Sequence, residues 1–139
     1  MKKHFFFFIA IGLIAGCEQS VTESSLKNIN GYWEISETIS RKGETKEFKI
    51  NETIDYFELK NGKGFRKKVM PQFNGHYTVN NQKEEIVLQK QKDHFYLVYT
   101  TPYGKWRDEI ISLSDEELAL KNEQGMEYHY KRPMKFSIK

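Results

Sequence analysis

From Ile29 onward, apolar residues recur at every second position in short runs, with Gly, Asn, Asp and Ser punctuating the gaps. Residues two apart share a face of a strand, so the pattern predicts β-structure almost throughout. Trp33, Ile35 and Ile39 fall on one face of a first strand, with Glu34, Ser36 and Thr38 on the other. Phe57 and Leu59 precede an Asn61-Gly62-Lys63-Gly64 turn, and Phe65 and Val69 follow it, each pair read as pointing to the same side. The alternation continues through Tyr77 and Val79, Ile86 and Leu88, and then Phe95, Leu97 and Tyr99, with turns at Asn80-Asn81-Gln82 and Gln91-Lys92-Asp93. Ile111 and Leu113, Leu118 and Leu120, and finally Met126, Tyr128 and Tyr130 complete nine runs. The fold class predicted is all-β, a single antiparallel meander β-barrel of about eight to nine strands, because closure removes the exposed edges of such a sheet.

Two stretches compete with this pattern. Ser114-Asp115-Glu116-Glu117 has the form of a helix capping box, but period two holds on both sides and Asn122 to Gly125 ends the run too early for an ordinary helix. A hairpin is favoured there. Arg41 to Thr53 reads as a loop or a short helix that carries Phe48 and Ile50 over one end of the barrel.

The amino-terminal segment obeys a different pattern. Lys2 and Lys3 precede an uncharged run from Phe5 that closes on Ile14-Ala15-Gly16-Cys17, and this cysteine is the only one in the chain. A basic start, a short apolar stretch and a small-residue site fit a secretory signal and fall short of a bilayer span. The closing residues resemble the lipobox of bacterial lipoproteins. That resemblance implies removal of residues 1–16 and lipidation of Cys17, with a membrane as partner through the acylated cysteine. Two or more acyl chains anchor stably where one does not. Residues 18–28 are polar and without period, so residues 17–28 read as a lipidated cysteine and flexible tether, and 29–139 as the barrel domain. Glu18 stands where aspartate signals inner-membrane retention in some bacteria, so the lipoprotein resemblance implies the cell envelope, with the outer membrane favoured.

Processing changes the charge picture. Lys2 and Lys3 are two of the 22 basic residues, so 20 remain against 19 acidic ones. Near neutrality argues against nucleic acid as a partner. Lys63, Arg66, Lys67 and Lys68 form the densest basic cluster and read as a solvated hairpin, with anionic lipid or sugar as the alternative.

Around Asn30-Gly31-Tyr32-Trp33-Glu34-Ile35 the chain resembles the Gly-x-Trp opening of lipocalins, in the form of small bacterial lipocalin-like lipoproteins. The resemblance runs from Gly31 to Arg132, through the strand entering Asn61-Gly62, Gly75-His76-Tyr77, the Ile111 to Leu120 hairpin and a closing Tyr128-His-Tyr-Lys-Arg132. It implies that Gly31 and Trp33 open the barrel and that Arg132 stacks on the tryptophan as its closure. A Thr-Asp-Tyr motif typical of the family is not evident at Tyr99-Thr-Thr-Pro-Tyr103.

No catalytic set emerges. His76, His94 and His129 lack metal-ligand spacing, and the chain holds no nucleophile elbow, phosphate loop or His-Glu-x-x-His, so neither enzyme activity nor a metal or other cofactor is expected. Acidic pairs such as Asp108-Glu109 read as solubilising charges, because neighbours on a strand point to opposite sides. The 14% aromatic content points instead to binding. Tyr77, Phe95, Leu97, Tyr99, Tyr128 and Tyr130 are candidates to line a cavity for a small hydrophobic or amphipathic molecule, unless the same rings simply fill the barrel. Tyr32, Tyr96, Tyr103 and Trp106, read as outward, suggest the alternative of a non-enzymatic envelope interaction module, an inhibitor or accessory subunit contacting another envelope protein.

Overall fold

Short turns between alternating runs leave each strand next to its successor, and that adjacency dictates the topology. The computed structural model describes residues 21–72 and 77–133, the side chains of residues 77–81 excepted. A 3-10 helix at Glu23–Ile29 leads into β1 (Gly31–Ile39), β2 (Thr45–Glu47), β3 (Ile54–Lys60), β4 (Lys63–Pro71) and β5 (Tyr77–Gln91). β6 (His94–Thr101), β7 (Gly104–Leu113), β8 (Glu117–Asn122) and β9 (Glu127–Lys131) follow. All neighbouring strands are antiparallel, and β9 pairs back onto β1, which closes eight strands into a barrel. The ninth, β2, lies outside the ring, paired with the far end of β1.

The count of nine agrees with the sequence pattern, but two strands differ in origin. Asn80-Asn81-Gln82 does not turn the chain. β5 runs unbroken for 15 residues, and these three positions sit opposite Lys68 alone, between the pairs Lys67↔Lys83 and Val69↔Val79. Turn-forming residues here serve a bulge, which bends a long strand without ending it. In compensation, Arg41 to Thr53 supplies β2 instead of a helix, and Ile50 stands 92% exposed and covers nothing. The edge of β1 between β3 and β2 is satisfied locally: Asn51 Nδ2 donates to the Ile35 carbonyl at 3.0 Å, and the Phe48 N–H to that of Ser36 at 2.8 Å.

The stretch at Ser114 is the expected hairpin, with Ser114 Oγ accepting from the N–H groups of Glu116 and Glu117 at 3.3 and 3.0 Å. Part of the stretch read as a tether, residues 22–28, is folded. Thr22 and Ser25 form a capping box that starts the 3-10 helix, and Val21, Leu26 and Ile29 pack against the core. Burying those side chains outweighs the weak helical propensity of so short a segment.

Two bulges set which side chains enter. In β1 the register shifts between Ile35 and Glu37, and in β7 between Ile110 and Ser112, so Ile110 and Leu113 point inward while Ile111 is the extra residue. The core comprises Trp33, Phe57, Ile86, Phe95, Leu97, Tyr99, Ile110, Leu113, Leu118, Leu120 and Tyr130, with Ile29 beneath them.

Candidate functional site

The barrel has a plugged base and an open mouth. At the base, Trp33 is wholly buried, and its Nε1 donates to the Ile29 carbonyl at 2.8 Å. The Arg132 guanidinium lies over the Trp33 ring at 3.7 Å. It donates to the carbonyls of Asn28 at 2.7 Å, Asp115 at 2.8 Å and Tyr32 at 3.1 Å. Burial lowers its pKa, with Asp115 opposing. Gly31, at φ +112, leaves room for this guanidinium: a Cβ there would stand 3.1 Å from Nη1. The three residues that the resemblance names as closure therefore do meet.

At the other end, β1, β4, β7 and the β8–β9 hairpin surround a cavity of about 350 Å³. Its walls include Ile35, Arg66, Trp106, Asp108, Tyr128 and Tyr130. Of the five candidate lining residues whose side chains are described, Tyr128 and Tyr130 reach it. Phe95 and Leu97 are packed inside the core, and Tyr99 lies beneath Trp106 in a stacked pair with centroids 5.6 Å apart. The side chain of Tyr77, like Cys17, lies outside the described residues.

Three readings of side-chain direction are corrected here. Trp106 pairs across strands with Tyr99 and lines the mouth, so it is not an outward aromatic. Phe65 faces out. The two-residue Asn61-Gly62 turn, both residues at positive φ, pairs Lys60 with Lys63, and parity then places Gly64 and Arg66 on the inner face with Leu59 and Phe57. Arg66 is accordingly no part of a solvated hairpin. Its side chain is 13% exposed, with Nη2 2.5 Å from Glu84 Oε2 and its guanidinium 4.4 Å over the Tyr99 ring.

Around Arg66 sits a buried charged layer. Asp55 is inward-facing, with Lys68 Nζ 2.6 Å from its Oδ1. Asp108 is also buried rather than solubilising, while its neighbour Glu109 faces out towards His94. Burial opposes the Arg66 charge, but Tyr99, Asp55 and Glu84 outweigh it and raise the pKa, keeping the guanidinium cationic. Burial raises the Asp108 carboxyl, with Arg66 and Tyr99 partly offsetting and Glu84 adding to the rise. Burial likewise lifts the Tyr99 and Tyr130 phenols, which therefore stay neutral donors at physiological pH. The result is a mouth that offers aromatic faces and hydrogen-bonding groups of both signs above an apolar floor. Such a surface can orient a small molecule with a polar and an apolar end.

A second concavity lies on the outer face of β6 to β9, with a volume of about 1040 Å³. Ser112, Ala119 and His129 stand in register along its floor, and Asp93, Glu109, Asp115, Glu116, Glu117 and Glu127 border it. Two of those carboxylates hold histidines, Glu109 to His94 at 2.5 Å and Glu127 to His129 at 2.9 Å. Among the described residues, no group of three or more His, Cys, Asp or Glu is placed to hold a metal ion, and no helix is long and apolar enough to cross a membrane.

A lipocalin-like protein from Bacteroides uniformis shares 12% identity with the chain, which covers 99% of that structure with 76% of its own length at a TM-score of 0.48. An uncharacterized protein from Bacteroides eggerthii also shares 12%, over 75% of this chain and 98% of that one, at a TM-score of 0.46. No curated protein is significantly similar in sequence. The model of the lipocalin-like domain family matches residues 29–120, from the buried Ile29 through β8, and with that match the chain belongs to the lipocalin-like domain family.

Proposed function

We propose that this chain is a membrane-anchored, non-enzymatic lipoprotein that takes one small amphipathic molecule into the mouth of its lipocalin-like barrel. The carrying observation is the mouth cavity of about 350 Å³ between Trp106, Tyr128 and Tyr130, with Arg66 and Asp108 in its wall and a filled core below. A lipocalin-like barrel supports a small-molecule binding role. The packed base limits the ligand's apolar part to a short segment. The lipid anchor rests on the Ile14-Ala15-Gly16-Cys17 run at the end of the apolar stretch, and an envelope location, the outer membrane favoured, goes with it.

The test uses the chain's two tryptophans, one buried at the base and one at the mouth. Protein purified from its native membrane should carry a bound mass in native mass spectrometry, and adding back the extracted molecule to stripped protein should change Trp106 emission. Trp106→Phe should abolish the change and Trp33 should report nothing. A barrel that carries no bound mass, and whose emission no membrane extract alters, overturns the reading.

One observation favours the interaction module as a second reading. The outer groove is larger than the mouth cavity and has six carboxylates on its border against one lysine, Lys121, which suits a cationic segment of an envelope protein. Capture of such a partner that weakens steeply with salt and with Glu116→Lys would support it.

A further inference from the structure

The short reach between the anchor and the fold fixes how the barrel stands on its membrane. We infer that the base of the barrel is a lipid-facing surface, with the lysine-bearing half of that base against anionic headgroups and the mouth turned to the aqueous side. This rests on the proposed acylation of Cys17.

The first support is length. Val21 packs on the core, and the Thr22–Ser25 capping box fixes the chain direction there. Three residues lie between Cys17 and Val21, so the four Cα–Cα steps reach about 14 Å at full extension. β7 alone is 10 residues long, so with an ordinary barrel tilt the base and mouth lie about 25 Å apart. Val21 enters at the base, beside the β5–β6 and β7–β8 hairpins. An anchor this short holds that end at the headgroups and leaves the mouth beyond its reach.

The second support is charge. Lys27 on the 3-10 helix, Lys60 and Lys63 flanking the β3–β4 turn, and Lys90 and Lys92 at the β5–β6 turn are all exposed at the base. The carboxylates at this end include Glu58, beside the β3–β4 turn, Glu23, which pairs with Lys90 at 3.2 Å, Asp93, and the Asp115, Glu116 and Glu117 cluster on the β7–β8 hairpin. Lys131 stands opposite Glu117 at the acidic hairpin, while the five lysines above belong to other elements of the base, the 3-10 helix and the β3–β4 and β5–β6 turns. Anionic headgroups attract the lysine side and repel the other, which tilts the barrel about its anchor and lifts the acidic outer groove clear of the bilayer. A ligand then enters from the aqueous compartment, without leaving the bilayer directly into the mouth.

The experiment uses the full-length protein matured in a lipoprotein-processing host and reconstituted into phosphatidylcholine vesicles containing a quarter phosphatidylglycerol. Intact mass reads acylation of Cys17. Acylation consumes the only native thiol, so Lys63→Cys at the base and Tyr103→Cys at the mouth each accept a single fluorophore. A headgroup-chelated nickel quencher should quench the base label several-fold more than the mouth label. Lys27→Glu with Lys92→Glu should reduce that difference in the anionic vesicles and leave it unchanged in pure phosphatidylcholine. Equal quenching at both labels, or stronger quenching at the mouth, on acylated protein overturns the orientation alone. Protein without the acyl mass overturns the anchor and the orientation together.

Discussion

The Arg132 guanidinium lies 3.7 Å over the ring of Trp33 while serving three carbonyls, those of Asn28, Tyr32 and Asp115, drawn from the helix, β1 and the β7–β8 hairpin. One side chain thus ties together three segments that share no backbone ladder at that level. Arg132→Ala should cost about 2–4 kcal/mol in urea unfolding, combining the lost ring contact with carbonyls left unpaired. Arg132→Lys should recover only part of it, since a point donor cannot span the fork. Gly31→Ala should also destabilise, because a side chain at φ +112 is strained and its Cβ meets Nη1.

At the β3–β4 hairpin the backbones approach so closely that Gly64 admits no side chain: an added Cβ would collide with the Glu58 carbonyl and with Leu59 Cα. Gly64→Ala should therefore lower stability by about 3 kcal/mol or more, and should disturb the amide resonances of β3 and β4 before those of β8.

Asp108 gives a pH test with a definite sign. Its folded pKa is raised above the ordinary 3.8, first by burial, so the folded state favours the protonated form. The stability it contributes is present at low pH and is lost as pH rises through the folded pKa. Asp108→Asn, which keeps a neutral hydrogen-bonding group of the same shape, should stabilise the barrel at pH 7 by on the order of 1 kcal/mol. The gain should vanish as pH falls towards the carboxylate range, as thermal melts across pH would read.

Arg66→Gln should act in the opposite direction. It leaves Glu84, Asp55 and Asp108 together without their central cation, at a cost of about 3–5 kcal/mol near neutral pH. Acidification should shrink the deficit as the carboxylates left behind lose their charge.

Alternation and turn residues made the barrel legible, because period two and a closed edge leave few arrangements for short antiparallel strands. Side-chain direction was less legible, and the reason is local. A single bulge reverses parity between its two sides, so with Leu113 inward beyond the extra Ile111, Ile110 takes the inward place that alternation gave to Ile111. Asn80-Asn81-Gln82 carries turn chemistry and bends β5 without stopping it. Arg66 was within reach of the sequence: a two-residue Asn-Gly turn fixes the pairing of Lys60 with Lys63, and counting back from it puts Arg66 opposite Phe57. The mouth cavity was not, because it joins Ile35, Arg66, Trp106 and Tyr130 from four separate strands, and no spacing along the chain records their meeting.

The β1–β9 seam has a consequence for how the molecule comes to be formed. Every other ladder of the ring joins strands close in sequence, β1 and β3 being parted only by the segment that carries β2, but this one joins Ile35 to Tyr130, and Ser36 Oγ donates to the His129 carbonyl across 93 positions of sequence. Closing a loop of that size costs about 4 kcal/mol of chain entropy, against far less for any single hairpin. The hairpins can therefore form and dissolve quickly while the barrel stays open. The slow event is the joining of the first strand to the last, so substitutions at Ser36 or His129 should register in the folding rate more strongly than equally destabilising ones in the β6–β7 hairpin.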